Sequence, residues 1–220
     1  MPDRTTVRTP TTAWRVPEPS AAAGGPGGFV EHDLGGGSSF VRLHRPDEGR
    51  HGAFGPGFRT VVDVELVADD GCAVVSLPAG RLRFLPTSTG WLCTAGPLHR
   101  LDADTDGWRV HTTGGAMLAF DRRGRLRSWR SPTRHLDTVT DSSGRVIRLH
   151  DRLARRRLHL DWTGDAVAQI SDDSGTTATY TYDVLDAALG RLVRVRRPDG
   201  VVTYRWCGGV AHRTHQRWAS

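Results

Sequence analysis

The chain contains no lysine and no asparagine, and all thirty of its basic residues are arginine. Both missing residues have AT-rich codons, so a GC-rich gene is the plainest cause. Arginine also grips phosphate with a planar fork, which would suit a nucleic-acid surface. Here, however, the arginines mostly alternate with apolar residues, as solvent-facing strand positions do. No block is denser than Arg155-Arg156-Arg157. Despite a formal net charge of +6, nucleic acid is not the expected partner.

Cysteine is scarce as well. Cys72, Cys93 and Cys207 have no C-x-x-C spacing, which argues against a zinc site. Their odd number and wide spacing also argue against a disulfide-stapled scaffold, although Cys72 and Cys93 lie in neighbouring strand-like segments and could meet. There is no apolar run of membrane-spanning length, and no basic start leads into an apolar segment. No membrane partner is expected. The expected location is the cytoplasm, or outside the cell by a specialised secretion route. Hydrophobic residues make up 37% of the chain and mean hydropathy is −0.42, little for a compact enzyme but enough for a thin sheet with one wet face.

Turn formers are plentiful, with 26 glycines and 12 prolines. Asp-x-x-Gly occurs at Asp104–Gly107, Asp121–Gly124, Asp141–Gly144, Asp161–Gly164 and Asp172–Gly175. The copies at 121, 141 and 161 start 20 residues apart. An aspartate can cap the backbone of a turn, and the glycine supplies the positive φ of a type I turn with a bulge. Alternating apolar residues follow several of the glycines, as in Gly124-Arg-Leu-Arg-Ser-Trp and Gly190-Arg-Leu-Val-Arg-Val. A unit of that length is one strand, a turn and a return strand. It must bury its apolar face on a neighbour.

The pattern therefore predicts an all-β fold, an antiparallel, repetitive β-hairpin sheet that is curved and forms an incomplete shell. Residues 1–38 read as a flexible Gly/Pro-rich leader. Residues 39–119 read as an N-terminal β region, with strands at Ser39–Leu43, Thr60–Ala68 and Ala73–Leu77. Within it, Phe54-Gly55-Pro56-Gly57-Phe58 reads as a plug whose two rings cap an open sheet end. Residues 120–206 carry the hairpin repeats. The remaining residues, 207–220, form a polar, aperiodic tail. Asp151–Arg157 and Val184–Leu189 are the only stretches with a helical look, and both are short enough to be irregular connections instead.

Sites of chemistry are sparse. Asp102-Ala-Asp104-Thr-Asp106-Gly107 matches the first half of a calcium loop, but position twelve would be Thr113 and no helices flank it. The plainer reading is an acidic hairpin tip. His99, His111, His135, His150, His159, His212 and His215 lack zinc-like spacing, and no serine sits in a Gly-x-Ser-x-Gly elbow. Asp172 and Asp173 are adjacent, so on a strand they point apart. No catalytic group and no cofactor is expected. Trp91, Trp108, Trp129, Trp162, Tyr182 and Trp206 could line a carbohydrate face, or simply fill a thin sheet.

Three segments carry a resemblance. Tyr180-Thr-Tyr182-Asp183 followed by Leu189-Gly190-Arg191-Leu192-Val193 resembles the tyrosine–aspartate (YD) repeat of the Rhs family, with Asp183 and Gly190 as its turn residues. Phe120-Asp121-Arg-Arg-Gly124-Arg125-Leu126 is similar to a second copy with Phe for Tyr. Gly52-Ala53-Phe54-Gly55-Pro56-Gly57-Phe58 resembles the segment that opens the Rhs shell region of bacterial polymorphic toxins. The last repeat departs from the pattern, because Val184–Leu189 stands where the family has two residues. The resemblance spans about Phe40 to Trp206. It implies a structural role without catalysis, as a shell fragment associated with toxin encapsulation or delivery in competition between bacteria. It also implies partners, namely further repeats or another β-rich chain at the open sheet edge, and a toxin domain. No autoproteolytic or toxin-like segment is found in the chain. The alternative is a carbohydrate- or cell-surface-binding β module.

Overall fold

A computed structural model describes residues 28–34, 40–46, 51–69, 71–96, 99–183 and 190–218. The fold is all-β, and no α-helix occurs among the described residues. Strands β1 (Phe29–Asp33), β2 (Phe40–His44) and β5 (Phe58–Arg59) make a three-stranded sheet. Between β2 and β5, β3 (His51–Gly52) and β4 (Gly55–Pro56) form a minimal hairpin. A second sheet is the meander β6 (Glu65–Ala68), β7 (Ala73–Leu77), β8 (Gly80–Thr87) and β9 (Gly90–Cys93).

The rest is one open, curved antiparallel sheet of twelve strands in sequence order. These are β10 (Arg100–Asp104), β11 (Gly107–His111), β12 (Met117–Phe120), β13 (Leu126–Ser131), β14 (Arg134–Thr140) and β15 (Val146–Asp151), continuing with β16 (Arg156–Thr163), β17 (Ala166–Asp172), β18 (Thr177–Tyr182), β19 (Leu192–Arg197), β20 (Gly200–Cys207) and β21 (Val210–Arg217). Alternation decides its faces. Val110, Leu118, Leu136, Leu149, Leu158, Ile170, Val195 and Val202 point inward and are buried. Arg127, Arg130, Arg148, Arg194 and Arg205 point outward. The two N-terminal sheets pack on the inward face, and all three share one hydrophobic core.

The turns explain the repeat. At Asp121, Asp141 and Asp172 the aspartate N–H donates to the carbonyl four residues on, at 2.9, 2.9 and 3.0 Å. Its Oδ1 accepts the N–H of that same residue, Arg125, Arg145 or Thr176. Gly124, Gly144 and Gly175 sit at φ +76°, +91° and +82°, the left-handed conformation the bulge requires. Asp183 makes the same pair of bonds with Arg191. Val184–Leu189 lies outside the described residues, yet the strands on either side of it, β18 and β19, pair as in the other repeats.

Four expectations are corrected. Asp161 does not start a turn. It lies within β16 opposite Gln169, and the reversal falls at Gly164-Asp165, between the paired Thr163 and Ala166. Gly164 adopts φ +59°, so a two-residue turn suffices and the strand runs three residues further. The leader is not wholly irregular, because Phe29–Asp33 is β1, paired along its length with β2. Its other residues up to Gly27, and 35–39, lie outside the described residues. Thr60–Ala68 is not one strand. Asp63 accepts from the Thr60 N–H and hydroxyl, closing a 3-10 turn at Val61–Asp63 before β6. Finally, the tail contains β21, which pairs with β20 over eight residues. Asp151–Arg157 follows the irregular reading: its ends belong to β15 and β16, and residues 152–155 form the turn between them, with Arg155 at φ +53°.

Candidate functional site

The plug meets the repeats beneath β17–β20. Gly55 and Gly57 take φ +88° and +75°, which folds the segment tightly enough to turn both rings inward. Phe54 and Phe58 are fully buried. Phe54 meets Tyr180 edge-on at 4.9 Å, and Phe58 meets Tyr204 at 5.6 Å and Trp206 at 6.3 Å. The Val167 N–H donates to the Ala53 carbonyl at 2.9 Å. The approach at Gly55 is close, since an added Cβ would stand 3.0 Å from the Gly190 carbonyl oxygen. The rings thus seat under the repeat sheet rather than at its open end.

Behind the plug lies a buried polar lattice. Arg42 and Asp33 are both fully buried. The Arg42 Nε donates to Asp33 Oδ2 at 2.5 Å and Nη2 to Oδ1 at 3.1 Å. Nη2 also donates to the Tyr204 hydroxyl at 3.0 Å, and the Tyr180 hydroxyl donates to Asp33 Oδ2 at 2.9 Å. The guanidinium carbon stands 5.1–5.8 Å from the rings of Phe54, Phe58, Tyr180 and Tyr204. Its Nη1 has no hydrogen-bond partner among the described residues, so these π faces are what it meets. Burial alone would lower the Arg42 pKa, but the charge of Asp33, the hydrogen bond to it and the Tyr204 and Tyr180 oxygens together more than offset it and hold it well above the usual arginine range. Burial, with Asp33 beside it, raises the Tyr180 phenol, which therefore stays a neutral donor.

Next to this pair, Glu31 is 2% exposed and gathers strands from the far edge of the sheet. It accepts from Arg197 at 3.0 Å and Arg213 at 2.7 Å, with His215 at 3.2 Å. None of Glu31, Asp33, Arg42 or Tyr204 was singled out as a site from the sequence. The available signal was the period-two charge in Phe-Val-Glu-His-Asp and Phe-Val-Arg-Leu-His. The first of these fell inside a stretch read as leader.

The aromatic residues do internal work. The indole N–H groups of Trp162 and Trp206 donate to the Val146 and Leu192 carbonyls, each at 2.9 Å. The Tyr182 hydroxyl donates to the Val167 carbonyl at 2.7 Å. Each acceptor is at or next to the first residue of a strand that follows a turn at one end of the sheet. Arg145 and Arg191, which follow the turn glycines, lie over Trp162 and Trp206 at 6.0 and 5.6 Å. Trp91 packs edge-on to Trp108 at 5.8 Å, and Trp129 is buried. These rings therefore fill and tie the sheet, which is the plainer of the two sequence readings.

The remaining candidates do not assemble into a site. Asp104 caps its own turn by accepting from the Asp106 and Gly107 N–H groups, at 2.8 and 3.0 Å. Asp102 pairs with Arg100 and His111. No group of three or more His, Cys, Asp or Glu side chains gathers for a metal among the described residues. All three cysteines are free, so Cys72 and Cys93 do not pair. A cavity of about 270 Å³ lies beside the plug, lined by Arg59, Asp63, Glu65 and Arg125 among others. Asp63 is already held there by the Ala53 N–H at 2.6 Å as well as by Thr60. Burial raises its pKa.

No family profile matches the chain, and no curated protein matches it. Among solved structures, a porin-like protein from Bacteroides uniformis is similar at 9% identity and a TM-score of 0.24, over 69% of this chain and 91% of that one. A TM-score of that size assigns no shared fold. No helix among the described residues is long and apolar enough to cross a membrane.

Proposed function

We propose that the chain is a structural wall element, an Rhs-like shell segment that packs its own N-terminal plug and acts without catalysis. One observation carries this reading. The Gly52–Phe58 segment and the described parts of the last repeat, residues 180–183 and 190–193, which separately resemble Rhs elements, are packed on each other, with Phe54 against Tyr180 and Gly55 against the Gly190–Leu192 backbone. A wall element has to extend, and β21 has the means. It is eight residues long, mostly exposed, and bonded to β20 along one side. Its other side offers backbone donors and acceptors to a further β-rich chain carrying more repeats and, in the encapsulating role, a toxin domain.

The test is hydrogen exchange on the full chain, alone and mixed with the product of any adjacent frame that encodes YD repeats. The reading expects amide protection across Val210–Arg217 to rise on mixing. Exchange there that does not change with such a partner, or substrate turnover by the purified chain, would remove it.

A further inference from the structure

A second cavity, of about 630 Å³, lies away from the plug at the opposite half of the long sheet. It opens between the β7–β8 turn and the turns that follow β11 and β13. Leu77, Leu82 and Trp129 supply its hydrocarbon wall. Its size falls within the ordinary range of small-molecule sites, roughly 300–1,000 Å³. Besides the hydroxyls of Thr112, Thr113, Ser131 and Thr133, two larger polar groups break the apolar lining. Arg134, the first residue of β14, is 7% exposed and lines the cavity. His99 also lines it, and its buried Nδ1 has no hydrogen-bond partner among the described residues.

We propose that this cavity binds a small amphipathic carboxylate, with its hydrocarbon on Leu77, Leu82 and Trp129 and its anionic head toward Arg134 and His99. The chemistry follows from the lining. A purely apolar ligand would strip water from Arg134 and from the hydroxyls of Thr112, Thr113, Ser131 and Thr133, which line the cavity, at the cost of unmet polar atoms. A purely polar ligand would waste the hydrocarbon wall. Arginine is the side chain best shaped to take a carboxylate with two parallel bonds. Burial lowers the Arg134 pKa and the charge of Asp151 only partly restores it, so a second anion would stabilise the guanidinium further. This site is independent of the wall reading above, and either can fail without the other.

The experiment is isothermal titration of the full chain with octanoate and with octanol. Octanoate is expected to bind once per chain, about tenfold or more tighter than octanol, since a buried charged hydrogen bond is worth that factor or more. Thr113→Trp places an indole at the exposed rim and should abolish saturable binding of both. Arg134→Gln should retain octanol binding and lose the preference for octanoate. If Arg134→Gln does not fold by circular dichroism, the rim variant alone carries the test. The site is overturned by any of three results, namely no saturable octanoate binding at millimolar concentration, more than one octanoate per chain, or binding untouched by Thr113→Trp. Equal affinity for octanol, or a preference that survives Arg134→Gln, overturns the carboxylate assignment.

Discussion

The two halves of the long sheet rest on different materials. Under its early strands lies the β6–β9 sheet, which presents Leu66, Val75, Leu82 and Phe84 to a shared core. An antiparallel backbone bridge between Glu65 and Arg125 tethers it there, with the Leu66 N–H donating to the Gly124 carbonyl at 2.8 Å. Under the late strands lie β1, β2 and the plug, which present a buried Asp33–Arg42 pair inside four aromatic rings. Hydrocarbon contact is non-directional and tolerates small shifts. A buried ion pair is unforgiving, since each charge loses its water and must find its partner in one geometry. The difference suggests a division of labour, in which the early half contributes bulk cohesion and the late half fixes how the N-terminal segment is seated. Specificity from a buried pair is a hypothesis for this protein, and it can be broken by substitution.

The largest effect is expected at Arg42. Arg42→Met leaves the Asp33 carboxylate with only the more distant Arg197 guanidinium, at 3.8 Å, and loss of one partner of a buried pair costs about 3–5 kcal/mol. Urea unfolding should show it as a lower midpoint. The double variant Arg42→Met/Asp33→Leu should recover part of the loss, because neither charge is then orphaned. A single variant that loses less than about 1 kcal/mol would mean the pair is not closed in solution.

The rings sharpen the same contrast at comparable cost. Phe54→Ala and Phe84→Ala should each lose about 3–5 kcal/mol as cavity-forming changes. Leucine should separate them. Phe84→Leu keeps most of the hydrocarbon and should recover much of the loss. Phe54→Leu removes the π face over Arg42 and the edge contact with Tyr180, and should recover less. Equal recovery in thermal melts would collapse the distinction between the two halves.

The early half of this comparison was legible from the sequence and the late half was not. Alternation in Val74-Val75-Ser76-Leu77 and in Arg81–Leu85 announces strands, and Asp-x-x-Gly announces the turns. The all-β class, the antiparallel repeat and the positions of Asp121, Asp141 and Asp172 follow from those local rules. The buried pair joins residues far apart in the chain, with Arg42 reaching Tyr204 over 162 positions and Tyr180 reaching Asp33 over 147. Local pattern holds no record of such distance. Glycine runs on both sides of Phe29–Asp33 further disguise a short strand whose charges are inward. Asp161 shows the opposite failure, a correct motif in the wrong context. Trp162 reaches the Val146 carbonyl and Gly164 can turn tightly, so the strand carries on past the aspartate.

Two glycines with the same sequence role should separate next. Gly124 and Gly164 both have positive φ, so alanine at either is strained by about 1–2 kcal/mol. At Gly164 nothing lies within 4 Å of the added Cβ, and that strain is the whole cost. At Gly124 the Cβ would stand 1.7 Å from the Leu66 carbonyl oxygen, where the β6–β9 sheet is tethered. Gly124→Ala should therefore cost clearly more, and should raise amide exchange at Leu66. Indistinguishable melts for the two variants would show that the tether is not made.

The smallest effect concerns Asp141 against Asp161, and it is read by pH. The Ser143 hydroxyl is the main cause that holds the Asp141 carboxyl down to about 2, opposed by partial desolvation and helped by the N–H and guanidinium of Arg145. An unfolded aspartate titrates near 3.9. A folded pKa below the unfolded one stabilises the fold above the unfolded value, and that contribution fades as pH falls through the folded one. Asp141→Ala should therefore melt below the parent at pH 5 to 7, with the gap narrowing between about pH 4 and 2. Asp161 sits mid-strand on the outer face. Asp161→Ala should stay within about 0.5 kcal/mol of the parent, as exposed sites usually do. A gap for Asp141→Ala that stays constant down to pH 2 would mean its turn is held by the backbone alone. An equal loss at Asp161 would mean that the register shown here, with the reversal at Gly164, is not the one the chain adopts.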